Sequence, residues 1–124
     1  MSVLIDTDVL IEHLRGNAVI VDRIMKEYEK GRRLYFSPVT RAEVAAGLRT
    51  GEETITERLF SLMTCLTITD ETGKKAGGYL KSYGRSHAVE MVDALIAATA
   101  SENDVLLWTM NKKHYPMKEL VFFK

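Results

Sequence analysis

Residues 3–16 read VLIDTDVLIEHLRG: three aliphatic residues, an acid, then apolar residues at 9, 10, 11 and 14 ahead of a glycine. A short aliphatic run is the pattern of a strand buried on both faces in a parallel sheet. The spacing that follows is one face of a helix, with Gly16 placed to close it. The same unit recurs downstream. Apolar positions 20, 21, 24, 25 and 28 predict a helix over 18–30, Gly31 ends it, and Leu34-Tyr35-Phe36 reads as the next strand.

Ser37-Pro38-Val39-Thr40 opens another helix that runs to about Leu48. Thr40 is the expected N-cap and Glu43, three residues on, its capping-box partner. An amphipathic helix over 52–64 and a strand over 66–68 follow, then a helix from Thr69 or Asp70 to Gly84. Residues 91–103, MVDALIAATASEN, are apolar around most of the circumference and predict the most buried helix. Val105–Trp108 reads as a strand, and Leu120–Phe123 as a last short strand beyond Pro116. Strands separated by helices imply right-handed crossovers and a mostly parallel sheet between helical layers. The expected fold is therefore a three-layer α/β/α sandwich, residues 1–124 forming a single domain.

Composition narrows the function. Hydrophobic residues make up 46% of the 124 and charged residues 27%, enough to build a core. Lys plus Arg and Asp plus Glu number 17 each, so no global positive field attracts nucleic acid and any such binding must use local charge. The opening stretch has no basic leader and no long apolar run, giving the expectation of a cytoplasmic protein with no membrane segment. The lone Cys65 lies in the apolar stretch CLTI and reads as a buried core thiol.

In an open parallel sheet the ligand crevice lies beyond the carboxyl ends of the strands. Asp6 ends the first strand, Thr109 and Asn111 follow Val105–Trp108, and Asp93 opens the apolar helix leading into that strand. Glu43, early in the helix after the second strand, can reach the same rim. Each acid also has a plainer reading. Asp6 or Asp8 could cap a helix, Glu43 could serve only Thr40, and Asp93 could be a partner of the helix dipole. Together, three crowded carboxylates repel one another unless a cation compensates. With oxygen donors and no Cys/His cluster, Mg2+ or Mn2+ fits and zinc does not.

Four blocks, LIDTDVLIEHLRG, SPVTRAEVAAGL, MVDALIAATA and LLWTMNKKHY, stand in an order that resembles PIN-domain nucleases. Within that family they are similar to the VapC-like toxins of prokaryotic toxin–antitoxin pairs, and the resemblance spans the chain. It implies a divalent-metal-dependent endoribonuclease with Asp6, Glu43 and Asp93 as metal-binding and catalytic acids. Glu43 would act directly, through water or as a base, and Thr109 and Asn111 would be supporting polar groups. Many PIN nucleases carry a fourth carboxylate where this chain has the neutral Asn111, which leaves open one metal or two. Asp8 and Glu90 are candidate auxiliary acids. The resemblance also implies a homodimer and a cognate VapB-like antitoxin. RNA must be gripped by positive groups beside the acids, and Arg41 and Lys112 are the first candidates.

Two other readings compete. The Asp-x-Asp of LIDTDV also suits a haloacid-dehalogenase-type phosphatase with Asp6 as nucleophile, although Glu43 and Asp93 then go unexplained. A catalytically silent PIN fold acting as a binding module draws on the neutral Asn111.

Overall fold

A computed structural model describes all residues, Met1–Lys124. Its elements alternate as the sequence predicts: β1 (Val3–Ile5), α1 (Thr7–Leu14), α2 (Ala18–Glu29), β2 (Leu34–Phe36), α3 (Pro38–Ala46), α4 (Glu53–Ser61), β3 (Thr64–Cys65), α5 (Asp70–Tyr83), α6 (Met91–Glu102) and β4 (Leu106–Trp108). The four strands form one parallel sheet in the order β3-β2-β1-β4. β1 lies centrally, with Leu4 beside Tyr35 on one side and Leu107 on the other.

Strand side chains alternate between faces, which divides the core in two. Leu4 and Leu107 face α5 and α6 and pack with Ala76, Tyr79, Ala94, Ala97 and Ala98. Val3, Ile5, Leu34 and Phe36 face the opposite layer and pack with Val9, Leu10, Ile24, Val44 and Phe60. Helices therefore cover both faces of the sheet, the expected α/β/α arrangement. α6 is buried along most of its length; its run of alanines lets it lie close to both the sheet and α5.

Four expectations change. Ser37, not Thr40, caps α3: its hydroxyl accepts from the Val39 amide at 3.1 Å, and Pro38 occupies the first turn, where a missing N–H costs nothing. The helix thus starts three residues early, Thr40 becomes a buried interior residue, and the Thr40–Glu43 capping box does not form. The third strand is Thr64–Cys65 rather than 66–68, because Met63 fills the core at the end of the preceding turn and Leu66 is left to donate one last bond to Phe36. Cys65 lies on this edge strand and is exposed. The expected strand at 120–123 reduces to a single parallel bridge between Leu107 and Phe122, with Val121 and Phe123 bonding to the Leu107 backbone.

Candidate active site

β1 delivers Asp6 to the carboxyl edge of the sheet, where its amide donates to Trp108 of β4 at 2.9 Å. Asp6 is at once the N-cap of α1 and a buried acid, 7% exposed. One carboxylate oxygen, Oδ1, accepts from the Thr7 amide at 2.8 Å. The other, Oδ2, accepts two hydroxyls, Thr109 at 2.9 Å and Tyr115 at 2.8 Å. Three donors hold one carboxylate in a single orientation. Asp6 thus caps α1 and stands at the sheet's carboxyl edge at once.

Asp8 sits one residue into α1. Its Oδ2 accepts from the Met110 amide at 3.1 Å and from Thr109 at 3.3 Å, while Oδ1 is buried and has no partner. Burial first, and the charge of Asp6 second, push its carboxyl up to about 6. The single Thr109 hydroxyl lies between the two acids and also accepts from the Asn111 amide at 3.1 Å.

Glu43 projects from α3. The Thr7 hydroxyl lies 2.6 Å from Oε1 and 2.9 Å from the Thr40 hydroxyl, so the buried Thr40 braces Thr7 and Thr7 braces Glu43. Asp93 comes from the first turn of α6, where Oδ2 accepts from the Glu90 amide at 3.3 Å and Oδ1 lies 3.8 Å from His114 Nδ1. Burial raises its carboxyl above the ordinary range even though the Glu90 amide and His114 pull the other way. Asn111 reaches the His114 ring at 3.0 Å. The Tyr115 phenol is driven well above its usual range by burial and by the Asp6 charge against it.

These groups surround one cleft of about 540 Å3. Asp6, Asp8, Glu43, Glu90 and Asp93 line it, together with Thr7, Asn111, His87 and His114, and no lysine or arginine does. The donor set is rich in carboxylate oxygen, and the unpartnered Asp8 Oδ1 beside Asp6 is an acceptor with nothing to accept. Both fit a hard divalent cation. No three acids or histidines converge into a closed cage.

A sequence model of the PIN domain matches residues 3–120 of the chain. The chain belongs to the PIN-domain family. Ribonuclease VapC10 of Mycobacterium tuberculosis is 38% identical over 118 residues, covering 94% of this PIN domain and 88% of the relative. Ribonuclease VapC19 of the same organism is 34% identical over 115 residues, 92% of each chain. Among solved structures, DNA-bound VapBC from Salmonella typhimurium superposes with a TM-score of 0.83 over 99% of this chain and 97% of that one. At 17% identity, that likeness is one of fold. The membership sets aside the haloacid-dehalogenase alternative.

Within this PIN domain the cleft gathers Asp6, Asp8, Glu43, Glu90, Asp93 and Asn111, with Thr109 bonded to two of the acids. Arg41 and Lys112 do not line it. The Arg41 guanidinium pairs with both oxygens of Glu57 at 2.9 and 3.0 Å and stacks 4.1 Å from the centre of the Phe60 ring. Lys112 Nζ lies 5.5 Å from the Phe122 ring centre. Thr7, His87, His114 and Tyr115 join the site without having been singled out for it in the sequence. Thr7 stands between two candidate acids, and that position was its one available signal.

Proposed function

We propose that this PIN domain is a divalent-metal-dependent endoribonuclease, the toxin of a toxin–antitoxin pair, acting in the cytoplasm through Asp6, Glu43 and Asp93. The observation that carries the reading is five carboxylates on one cleft with no lysine or arginine lining it, an arrangement that is costly without a cation. The ribonuclease relatives fix the reaction class, and the VapBC likeness suggests a VapB-like antitoxin as partner. The homodimer implied by the family is part of the same reading.

Asp6 and Asp93 would hold Mg2+ or Mn2+, with Asp8 beside them. Such an ion supplies positive charge against the scissile phosphate and renders a bound water more acidic. The protein's own groups do the rest. Thr109 and Tyr115 fix Asp6 and keep it from swinging into the substrate's space. Thr7 binds one oxygen of Glu43, leaving Oε2 to take a proton from the attacking water. Asn111, His114 and His87 present donors on the cleft wall to the non-bridging phosphate oxygens.

The deciding experiment is cleavage of a mixed RNA pool with Mg2+ or Mn2+, beside calorimetric metal titration, for the wild type and Asp93→Asn. Metal-dependent cuts are expected in the wild type and at least a hundredfold fewer in the variant. A folded wild type that neither binds metal nor cuts RNA would favour the silent binding module, the reading to which the neutral Asn111 lends itself.

A further inference from the structure

The Thr40-x-x-Glu43 spacing does not cap α3, yet it places two polar side chains three residues apart on one face of that helix. Between them sits the Thr7 hydroxyl of α1, 2.6 Å from Glu43 Oε1 and 2.9 Å from Thr40 Oγ1. Glu43 depends on this contact more than the other acids of the cleft depend on any one of theirs. Asp6, Asp8 and Asp93 each accept a backbone amide, from Thr7, Met110 and Glu90, and a backbone amide cannot swing away. Glu43 accepts only the Thr7 hydroxyl, is exposed, and has one more side-chain torsion to fix than an aspartate.

A hydroxyl has one proton to give and two lone pairs to accept with. Thr7 therefore cannot donate to both neighbours, and the carboxylate, the stronger acceptor, takes its proton. The Thr40 hydroxyl is then the donor to Thr7. The protons run from Thr40 to Thr7 to Glu43, every hydroxyl dipole points at the carboxylate, and each bond polarises the next. Thr40 is 0% exposed, and Thr7 is the one partner its hydroxyl has. Thr40 does not line the cleft, so it reaches the site only through Thr7.

We propose that Thr40 is a positioning residue for the cleavage reaction: from inside α3 it turns the Thr7 proton onto Glu43 Oε1 and so leaves Oε2 held ready for the attacking water. No proton passes along the chain of hydroxyls; it fixes an orientation. The proposal rests on the ribonuclease reading and adds to it a residue that touches neither metal nor substrate. It also gives the Thr-x-x-Glu spacing a purpose other than capping.

The test compares apparent kcat and KM for cutting a fluorophore–quencher RNA of mixed sequence in Mn2+, with melting curves to establish that each variant is folded. Thr40→Val removes the hydroxyl and keeps the branched shape, and Thr40→Ala removes both. Each should lower kcat about tenfold and leave KM within about twofold. Thr40→Ser keeps the hydroxyl and should recover most of that loss. Thr7→Val should lower kcat further, and in its background Thr40→Val should cost nothing more, because the effect of Thr40 travels through Thr7. A packing role gives a different pattern: Thr40→Ser is then no better than Thr40→Ala, and the Thr40→Val loss persists in the Thr7→Val background. Either result overturns the proposal. If the wild type cuts RNA and a folded Thr40→Val cuts it as fast, the positioning role is wrong and the ribonuclease reading stands. A wild type that cuts no RNA overturns both.

Discussion

Asp6 illustrates how much of a buried acid's behaviour is decided by the groups that surround it. Its Oδ2 carries two hydroxyl donors, and one of them, Tyr115, is 109 positions away in sequence. A phenol this buried would be expensive without a partner, and an anion this buried would be expensive without donors; each satisfies the other. Tyr115→Phe removes one oxygen and keeps the ring that fills the core. It should lower the unfolding free energy by about 1–2 kcal/mol. It should also weaken Mn2+ or Mg2+ binding about tenfold, because Asp6 gains rotational freedom. Calorimetric metal titration beside urea unfolding separates the two effects, and an unchanged metal affinity would make Tyr115 a packing residue only. The acids were legible because strand ends and an apolar helix are places where a carboxylate stands out. Tyr115 was not, since a tyrosine in a loop after a histidine looks like any other core aromatic until the fold brings it to Asp6.

At the scale of elements, the β/α order was readable from periodicity, and the errors lie where one local signal outweighed another. A Thr-x-x-Glu spacing suggested a capping box at Thr40, yet Ser37-Pro38 is the stronger start signal, because proline suits the first turn and blocks little there. The consequence is functional: freed from capping, Glu43 turns to Thr7 and the cleft. β3 slipped because two residues of an exposed edge strand carry no alternation to read. A contact that no periodicity could reveal ties α5 to the chain after Tyr115: the Tyr79 hydroxyl donates to the Glu119 carboxylate. Glu119 is held below its usual range chiefly by that bond, and Tyr79 is pushed up to about 12 by burial and then by the same bond. A carboxyl depressed by folding stabilises above its unfolded value near 4.5 and loses that stabilisation as pH falls through the folded value. A phenol raised by folding stabilises below 10 and loses that stabilisation as pH rises through about 12. Tyr79→Phe should therefore cost about 1 kcal/mol at neutral pH and less at either extreme. Melting curves at pH 3, 7 and 11 test this, and a deficit constant across all three would mean that the bond contributes nothing.

For the molecule as a whole, a balance of 17 basic and 17 acidic residues conceals a local imbalance. The cations are spent in ion pairs and on the surface, while five acids line a single cleft. Asp8 and Asp93 both have carboxyls raised by burial, so a negative charge on either opposes folding. The metal-free protein is consequently less stable than its packed cores alone would make it, the usual cost of assembling a site. Asp93→Asn keeps the shape and can still accept from the Glu90 amide, but it removes one of the crowded charges. In chelator, the variant should be more stable than the wild type by about 0.5–1 kcal/mol. Added Mg2+ or Mn2+ should then raise the wild type's melting temperature by mass action and leave the variant nearly unmoved, reversing their order. A purely structural Asp93 gives the opposite pattern, since losing its charge at the start of α6 would destabilise the protein whether or not metal is present. The crossing of the two melting temperatures with added metal is therefore a test of the site that requires no knowledge of which RNA it cuts.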